Sequence, residues 1–401
     1  MSQAPSPEKN ISTPPANLKC DVAIVGGGLA GGLAAIALAK MRPELKVMLI
    51  EQNDHFGGNH LWSFFSSDID PQHSWLIAPL ITYGWAGYNV DFPKFNRHLD
   101  NKYYSITSDR LDEYLREILP ADNMILSANV KALSPRLVVL KGGQRINASC
   151  VIDARGGADT RFFDCGWQKF CGQMLQLSDP HGLKHPIIMD ASVDQSDGYR
   201  FVYVLPFGMD KLFIEDTYYH DEPEMQVERW RGNIARYAAQ KGWNIDAIIR
   251  EEAGVLPVIM GGDLEKYWNS GGSRIAKIGA RGAFFHAVTS YSLPDAVRIA
   301  AFIAQQDDLD GDKLHMQLYH RAQSHWSGQK YYHMLNKMLF RAAEPAERYR
   351  VLERFYTLSP QLIGRFYNGT SSIKDKIRLL SGRPPVPITK AVKALGAAKY
   401  R

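Results

Sequence analysis

Several features that would assign a class from composition alone are scarce in this chain. Only four of its 401 residues are cysteine, Cys20, Cys150, Cys165 and Cys171. No two form a CxxC pair and none has histidines at zinc-finger spacing, so no metal site is expected and the thiols read as buried and reduced. Charge of one sign is scarce too: 47 Lys and Arg against 42 Asp and Glu leave a net charge of +5, spread along the chain. That argues against nucleic-acid binding. Residues 1–19 are rich in Pro, Ser and Asn and lack the apolar core of a signal peptide. They are expected to form a disordered leader, with the protein staying in the cytoplasm. The stretch nearest to membrane-spanning length, Val22 to Ala39, carries a cluster of glycines at one end. It is a poor span, and any membrane association is expected to be peripheral.

Glycine is plentiful, at 33 residues, and its placement is informative. The segment from Asp21 to Glu51 reads as strand, turn, helix, strand. The apolar run Val22 to Val25 enters Gly26, Gly28 and Gly31 at GxGxxG spacing, with Leu29 and Ala30 opening the helix. Gly26 permits a tight turn, Gly28 lets backbone amides approach a pyrophosphate, and Gly31 lets the helix pack close to the strand. A second apolar run ends in Glu51, about 20 residues on, where a carboxylate can bond the adenosine ribose hydroxyls and repel a 2′-phosphate. FAD or NAD therefore fits better than NADP. A turn that binds nothing is the bland alternative, but glycine costs about 1 kcal/mol against alanine in a helix and here three occur in succession.

Beyond the Gly57-Gly58 turn, His60, Trp62, Phe64 and Phe65 alternate as in a strand. They either line a pocket beside the cofactor or fill a domain interface. Residues 71–104 read as short strands, Ser108-Asp109 as the cap of a helix from Arg110 to Ile118, and residues 124–139 as one or two strands. Residues 146–156 read as a buried strand closing on Asp153 and Arg155. Aromatic- and proline-rich runs between Thr160 and Gly262 predict an antiparallel sheet, interrupted by a helical region at 225–252 with Trp230, Ile234 and Ala238 on one face. A second glycine turn, Gly279 to Gly282, precedes a helix that begins after Pro294 and runs to about Gln305. The expected division is a discontinuous nucleotide domain (20–60, 106–160 and 270–306), a substrate domain (61–105 and 161–269) and a basic helical region (307–401). The interleaved basic and apolar residues of that last region suit either an anionic membrane surface or a solvated helix packed on the core.

Several stretches together resemble the bacterial lycopene β-cyclases of carotenoid biosynthesis, FAD-dependent relatives of the aromatic-hydroxylase flavoproteins. The carriers are GGGLAGGLAA with Glu51, GGNHLWSFF, VIDARG, FIEDTYY, EEAGVLP and GARGAFFHAVTSYSLPDAV, which cover nearly the whole chain. The first and last are shared by flavoproteins generally. FIEDTYY and the AFFH…SYSLP turn look more specific to the cyclases. The sequence departs from the pattern at Gly279-Ala280, where hydroxylases usually carry Gly-Asp, at Ala287 in place of proline, and at Ser290 in place of glycine.

The resemblance implies an α/β fold: a Rossmann-like FAD-binding domain of the aromatic-hydroxylase type, an antiparallel β-sheet substrate domain and a helical C-terminal region. It implies a non-redox conversion of lycopene to β-carotene through γ-carotene. The cofactor would be FAD, active when reduced, with NAD(P)H as reductant. Partners would be a membrane lipid surface, on its cytoplasmic side, and other carotenoid enzymes. Gly26, Gly28, Leu29, Ala30, Gly31, Glu51, Asp153, Arg155, Gly279 and Gly282 would hold the cofactor. Glu215 and Asp216 would be the catalytic acids, and His60, Trp62, Phe284, Phe285 and His286 candidate pocket walls. A carboxylic acid in an apolar pocket stays protonated at neutral pH, as a proton donor to a hydrocarbon must. Strand alternation puts Phe213 and Glu215 on one face and Ile214 and Asp216 on the other, so Glu215 is expected to face the substrate. The rival readings are a flavin oxidoreductase, which would change substrate mass, and a flavin-binding partner without catalysis.

Overall fold

The computed structural model describes residues 17–157, 159–381, 389–390 and 393–394. Most of the expected leader and of the C-terminal KAVKALGAAKYR stretch lie outside them.

The first sheet grows from β1 (Leu18–Val25), whose last four residues are buried on both faces. It runs into α1 (Leu29–Met41), a helix buried nearly all round because it packs against both the sheet and the helix Leu293–Ala304. On one side β1 pairs in parallel with β2 (Val47–Ile50), and on the other with β3 (Arg145–Asp153). Met124–Ile125 extends the sheet beyond β2; Leu137–Leu140 and Val130–Ser134 extend it beyond β3; the short strand Ala276–Lys277 also pairs with β3. Register aligns the strand ends: Val25 lies opposite both Ile50 and Asp153, and Asp153 opposite Lys277. Gly26, Glu51, Arg155 and Gly279 therefore emerge along one edge, outside the carboxyl ends of parallel strands, where open α/β sheets bind ligands. The helix α2 (Ser108–Ile118) flanks α1, and its cap is the Thr107 hydroxyl accepting the Arg110 N–H rather than Ser108.

The second sheet is also seven-stranded. From one edge inward it is antiparallel, built of β4 (Phe163–Leu177), β5 (Tyr199–Phe207), β6 (Lys211–His220) and, following α3 (Val227–Gln240) in the chain, the edge strand β7 (Ile245–Gly262). Here the structure corrects the helix expected across 225–252. Gly242, at φ +74°, ends α3 in the left-handed region, and the isoleucine-rich segment after it pairs along β4. Residues 71–80 are likewise short helical turns rather than strands. One face of this sheet carries α3 over a core of Cys171, Val202, Ile214, Trp230 and Ile234. Of the other cysteines Cys150 is buried, while Cys20 and Cys165 are half-buried, against expectation; all four are unpaired.

The C-terminal part is helical: α4 (Gly311–Gly328), α5 (Lys330–Arg341), α6 (Tyr349–Tyr356), α7 (Pro360–Tyr367) and α8 (Ile373–Leu380). Aromatic contacts such as Phe355 with Phe366 and Phe65 with Tyr367 pack α6 and α7 together and onto the strand Leu61–Phe65.

Candidate active site

Two cavities meet at one strand. The larger, about 950 Å³, runs from the Gly26 turn to β6 and is lined by Gly28, Leu29, Ala30, Glu51, Arg155, Gly279 and Arg281. Its glycine end is built for an anion. Gly28 is the N-cap of α1, no side chain caps the helix, and no acid stands in its first turn, so the first amide N–H groups are left for a ligand. A Cβ on Gly28 would meet nothing, whereas one on Gly31 would lie 1.9 Å from the Gly26 carbonyl oxygen. Gly31 thus serves the contact of α1 with the turn and does not itself reach the cavity. Glu51 accepts the Gly27 and Asn53 amides at 2.7 and 3.0 Å, and a carboxylate has lone pairs left for a diol. Arg155 is held by two 2.8 Å bonds to Asp153. Together these groups fit a dinucleotide.

The second cavity, about 470 Å³, is mostly apolar and passes among Phe201, Tyr219, Leu339, Phe355 and Phe366 toward α8. Glu215, Tyr203, Tyr103, Gln168 and Tyr291 line both cavities. Glu215 sits at this junction because of strand register. Across the sheet it stands opposite Tyr203 on β5 and Gly172 on β4, and Gly172 in turn stands opposite Glu252 on β7. Opposed residues share a face, so two carboxyls flank a glycine that has no side chain to separate them. Burial, and then the charge of Glu252, push the Glu215 carboxyl up to about 8; a Thr217 hydroxyl donating at 2.6 Å pulls the other way. The shift favours the protonated form of a carboxyl that stands at the edge of the apolar cavity.

Asp216 points the opposite way, as alternation requires. It is fully buried under α3, paired with Arg200 at 2.6 Å, and accepts hydrogen bonds from Tyr218 and Asn233 at 2.9 Å each. Burial pushes its carboxyl up, and Arg200 pulls it down. It lines neither cavity.

The sequence model of the lycopene cyclase protein family matches residues 21–393. The chain belongs to the lycopene cyclase family. A lycopene beta-cyclase of Pantoea ananas is 43% identical over 377 residues, which cover 94% of this chain and 97% of that one. Among solved structures, a geranylgeranyl bacteriochlorophyll reductase-like protein of Thermoplasma acidophilum superposes with a TM-score of 0.61 at 14% identity, covering 95% of this chain and 99% of that one. A flavin-dependent brominase does so with a TM-score of 0.57 at 12% identity, covering 90% and 97%. At those identities the likeness concerns the fold, the mixed α/β flavoprotein architecture expected from the sequence.

For this lycopene cyclase family member the structure also redraws the expected site. His60 and Trp62 line the larger cavity, with His60 Nδ1 3.6 Å from Glu252. Phe284, Phe285 and His286 line neither large cavity. The turn ends at Ala283 in the left-handed region, φ +57°, and the chain beyond it enters the core: Phe284 packs edge-on to Trp268, and His286 lies between Tyr332 and Phe366. The wall expected of them is supplied by Thr289 and Tyr291. Ser290, where the family usually has glycine, adopts φ +53°, and its hydroxyl donates to the Pro257 carbonyl at 2.5 Å. Asp153 and Gly282 are also set back from the cavity: Asp153 is fully buried and ion-paired to Arg155, and a Cβ on Gly282 would strike the Lys277 carbonyl. Sequence reasoning did not single out Glu252 or Gly172. The EEAGVLP stretch was the available signal. Among the described residues no helix is long and apolar enough to cross a membrane.

Proposed function

We propose that the chain is a lycopene beta-cyclase, an isomerase closing the ψ ends of lycopene into β-rings by way of γ-carotene, with Glu215 as its acid. The observation that carries this reading is the junction: a carboxyl pushed up to about 8 at the meeting point of an apolar cavity and the cavity of the glycine turn. The apolar cavity takes the polyene and excludes water. Glu215 delivers its proton to the terminal alkene; the chain closes through the resulting tertiary cation. The Glu215–Glu252 pair, now one proton short, takes the ring proton, so the site ends as it began and substrate mass is unchanged. The Tyr203 and Tyr103 rings beside Glu215 add cation–π stabilisation of about 0.5 to 2 kcal/mol each. The Gly26 turn, Glu51, Arg155 and Gly279 would hold FAD, which, once reduced by NAD(P)H, would supply negative charge able to stabilise a cation. Asp216, behind the sheet, is a buttress of β6 rather than a proton donor.

The test is anaerobic incubation of the holoprotein with lycopene in liposomes and chemically reduced FAD, followed by chromatography and mass analysis. A shorter-wavelength pigment of unchanged mass is expected. A product changed in mass by oxygen or hydrogen would favour a flavin oxidoreductase and overturn the reading.

A further inference from the structure

The apolar cavity comes to the surface at α8: of the described residues that line it, Leu380 alone is exposed, at 47%, with Leu379 beside it on the same helix. That helix is inverted relative to an ordinary surface helix. Ile373, Ile377 and Leu380 recur at i, i+4, i+7 and form an outward ridge, the first two exposed by 77% and 64%. Its one acid, Asp375, is turned inward instead: it accepts the Ser372 N–H in the capping box that opens the helix and two 2.7 Å bonds from Arg365. Every outward charge left on α8 is therefore positive, from Lys374, Lys376 and Arg378. Arg354 of α6, which also lines the cavity, bonds the Ser381 carbonyl and ties the end of α8 to the mouth.

We infer that α8 seats the protein on an anionic lipid bilayer, its isoleucine ridge entering the acyl boundary, so that the apolar cavity opens into the membrane beneath Leu380. An apolar stripe flanked by cations, with no outward acid, matches the chemistry of a lipid surface: hydrocarbon below, phosphate at headgroup level. Continuity of the ridge with the cavity mouth gives this placement a purpose, since a hydrocarbon substrate would pass from acyl chains to the Glu215 junction without crossing water. The purpose rests on the cyclase reading; the docking itself does not.

The full-length holoprotein is floated with vesicles of phosphatidylcholine alone or mixed with phosphatidylglycerol, in the absence of any carotenoid. Ile373→Ser with Ile377→Ser is expected to lower partition into both kinds of vesicle by at least about tenfold. Lys374→Glu with Arg378→Glu is expected to lose only the preference for anionic vesicles, and the wild-type preference to fade at high salt. Both variants lie on exposed positions outside the cavity lining, so flavin content, melting temperature and turnover of detergent-dispersed lycopene are expected to be unchanged, while turnover of vesicle-borne lycopene falls with partition. Wild-type partition in the isoleucine variant would overturn the proposal. A fall in oligomeric mass of that variant without lipid would overturn it in favour of a second copy of the chain on the ridge. Loss of partition in a protein that never cyclises lycopene would uphold the docking and sink only the cyclase reading.

Discussion

Under the proposed function, Glu215→Gln is expected to lower lycopene turnover by on the order of 10²–10⁴-fold while leaving FAD bound. The amide keeps the size of the side chain and the Thr217 contact but has no acidic proton to give. Flavin content, read from the visible spectrum, separates loss of chemistry from loss of cofactor. Pigment analysis then gives the rate. The same substitution has a second, opposite effect. The Glu215 carboxyl stands near 8 in the folded chain against an ordinary 4.5, so its contribution to stability is complete below the lower value and is lost as pH rises through the upper one. The variant lacks this dependence, and its melting temperature is expected to exceed that of the wild type on the alkaline side of pH 8. Near-normal turnover in Glu215→Gln would remove the residue from the chemistry.

Asp216→Ala acts on the fold instead. The substitution leaves the Arg200 guanidinium, whose side chain is 13% exposed, without its carboxylate, strips Tyr218 of its acceptor and leaves the Asn233 amide only the Tyr218 hydroxyl to donate to. Removing one partner of a buried pair costs roughly 3–5 kcal/mol. A urea titration is expected to show that loss as a lower midpoint. The double variant Arg200→Met with Asp216→Leu, which leaves no charge uncompensated, recovers most of it, because well-packed apolar groups replace buried pairs at little cost. If Asp216→Ala unfolds at the wild-type midpoint yet abolishes turnover, Asp216 belongs to the chemistry after all. Adjacent residues of one motif are thus expected to give one variant defective in rate and one defective in stability. Strand alternation alone places them so.

Local rules carried much of this structure. The glycine turn, its strands and Glu51 are set within a few dozen residues by spacing, and the opposed faces of Glu215 and Asp216 follow from a period of two. What stayed hidden depends on contacts distant in sequence. Glu252 becomes a neighbour of Glu215 only through the register of β7 on β4 and β4 on β6, with Gly172 between them. Its segment also follows directly on α3, so the helical pattern ran on too far. Phe284, Phe285 and His286 misled because a left-handed residue at Ala283 redirects the chain, and a ring in the core looks in sequence like a ring on a pocket wall. The cavity that leads to α8 is assembled from several distant elements and leaves no local pattern.

The most direct measurement is the pH dependence of kcat/KM for lycopene cyclisation, in the wild type and in Glu252→Gln. If a protonated Glu215 delivers the proton, the wild-type rate falls as pH rises through about 8. Burial still holds the carboxyl up in the variant, but the neighbouring charge is gone, so the limb of its remaining activity moves to lower pH. A wild-type rate with no alkaline limb, or a limb that stays in place in Glu252→Gln, would contradict the account.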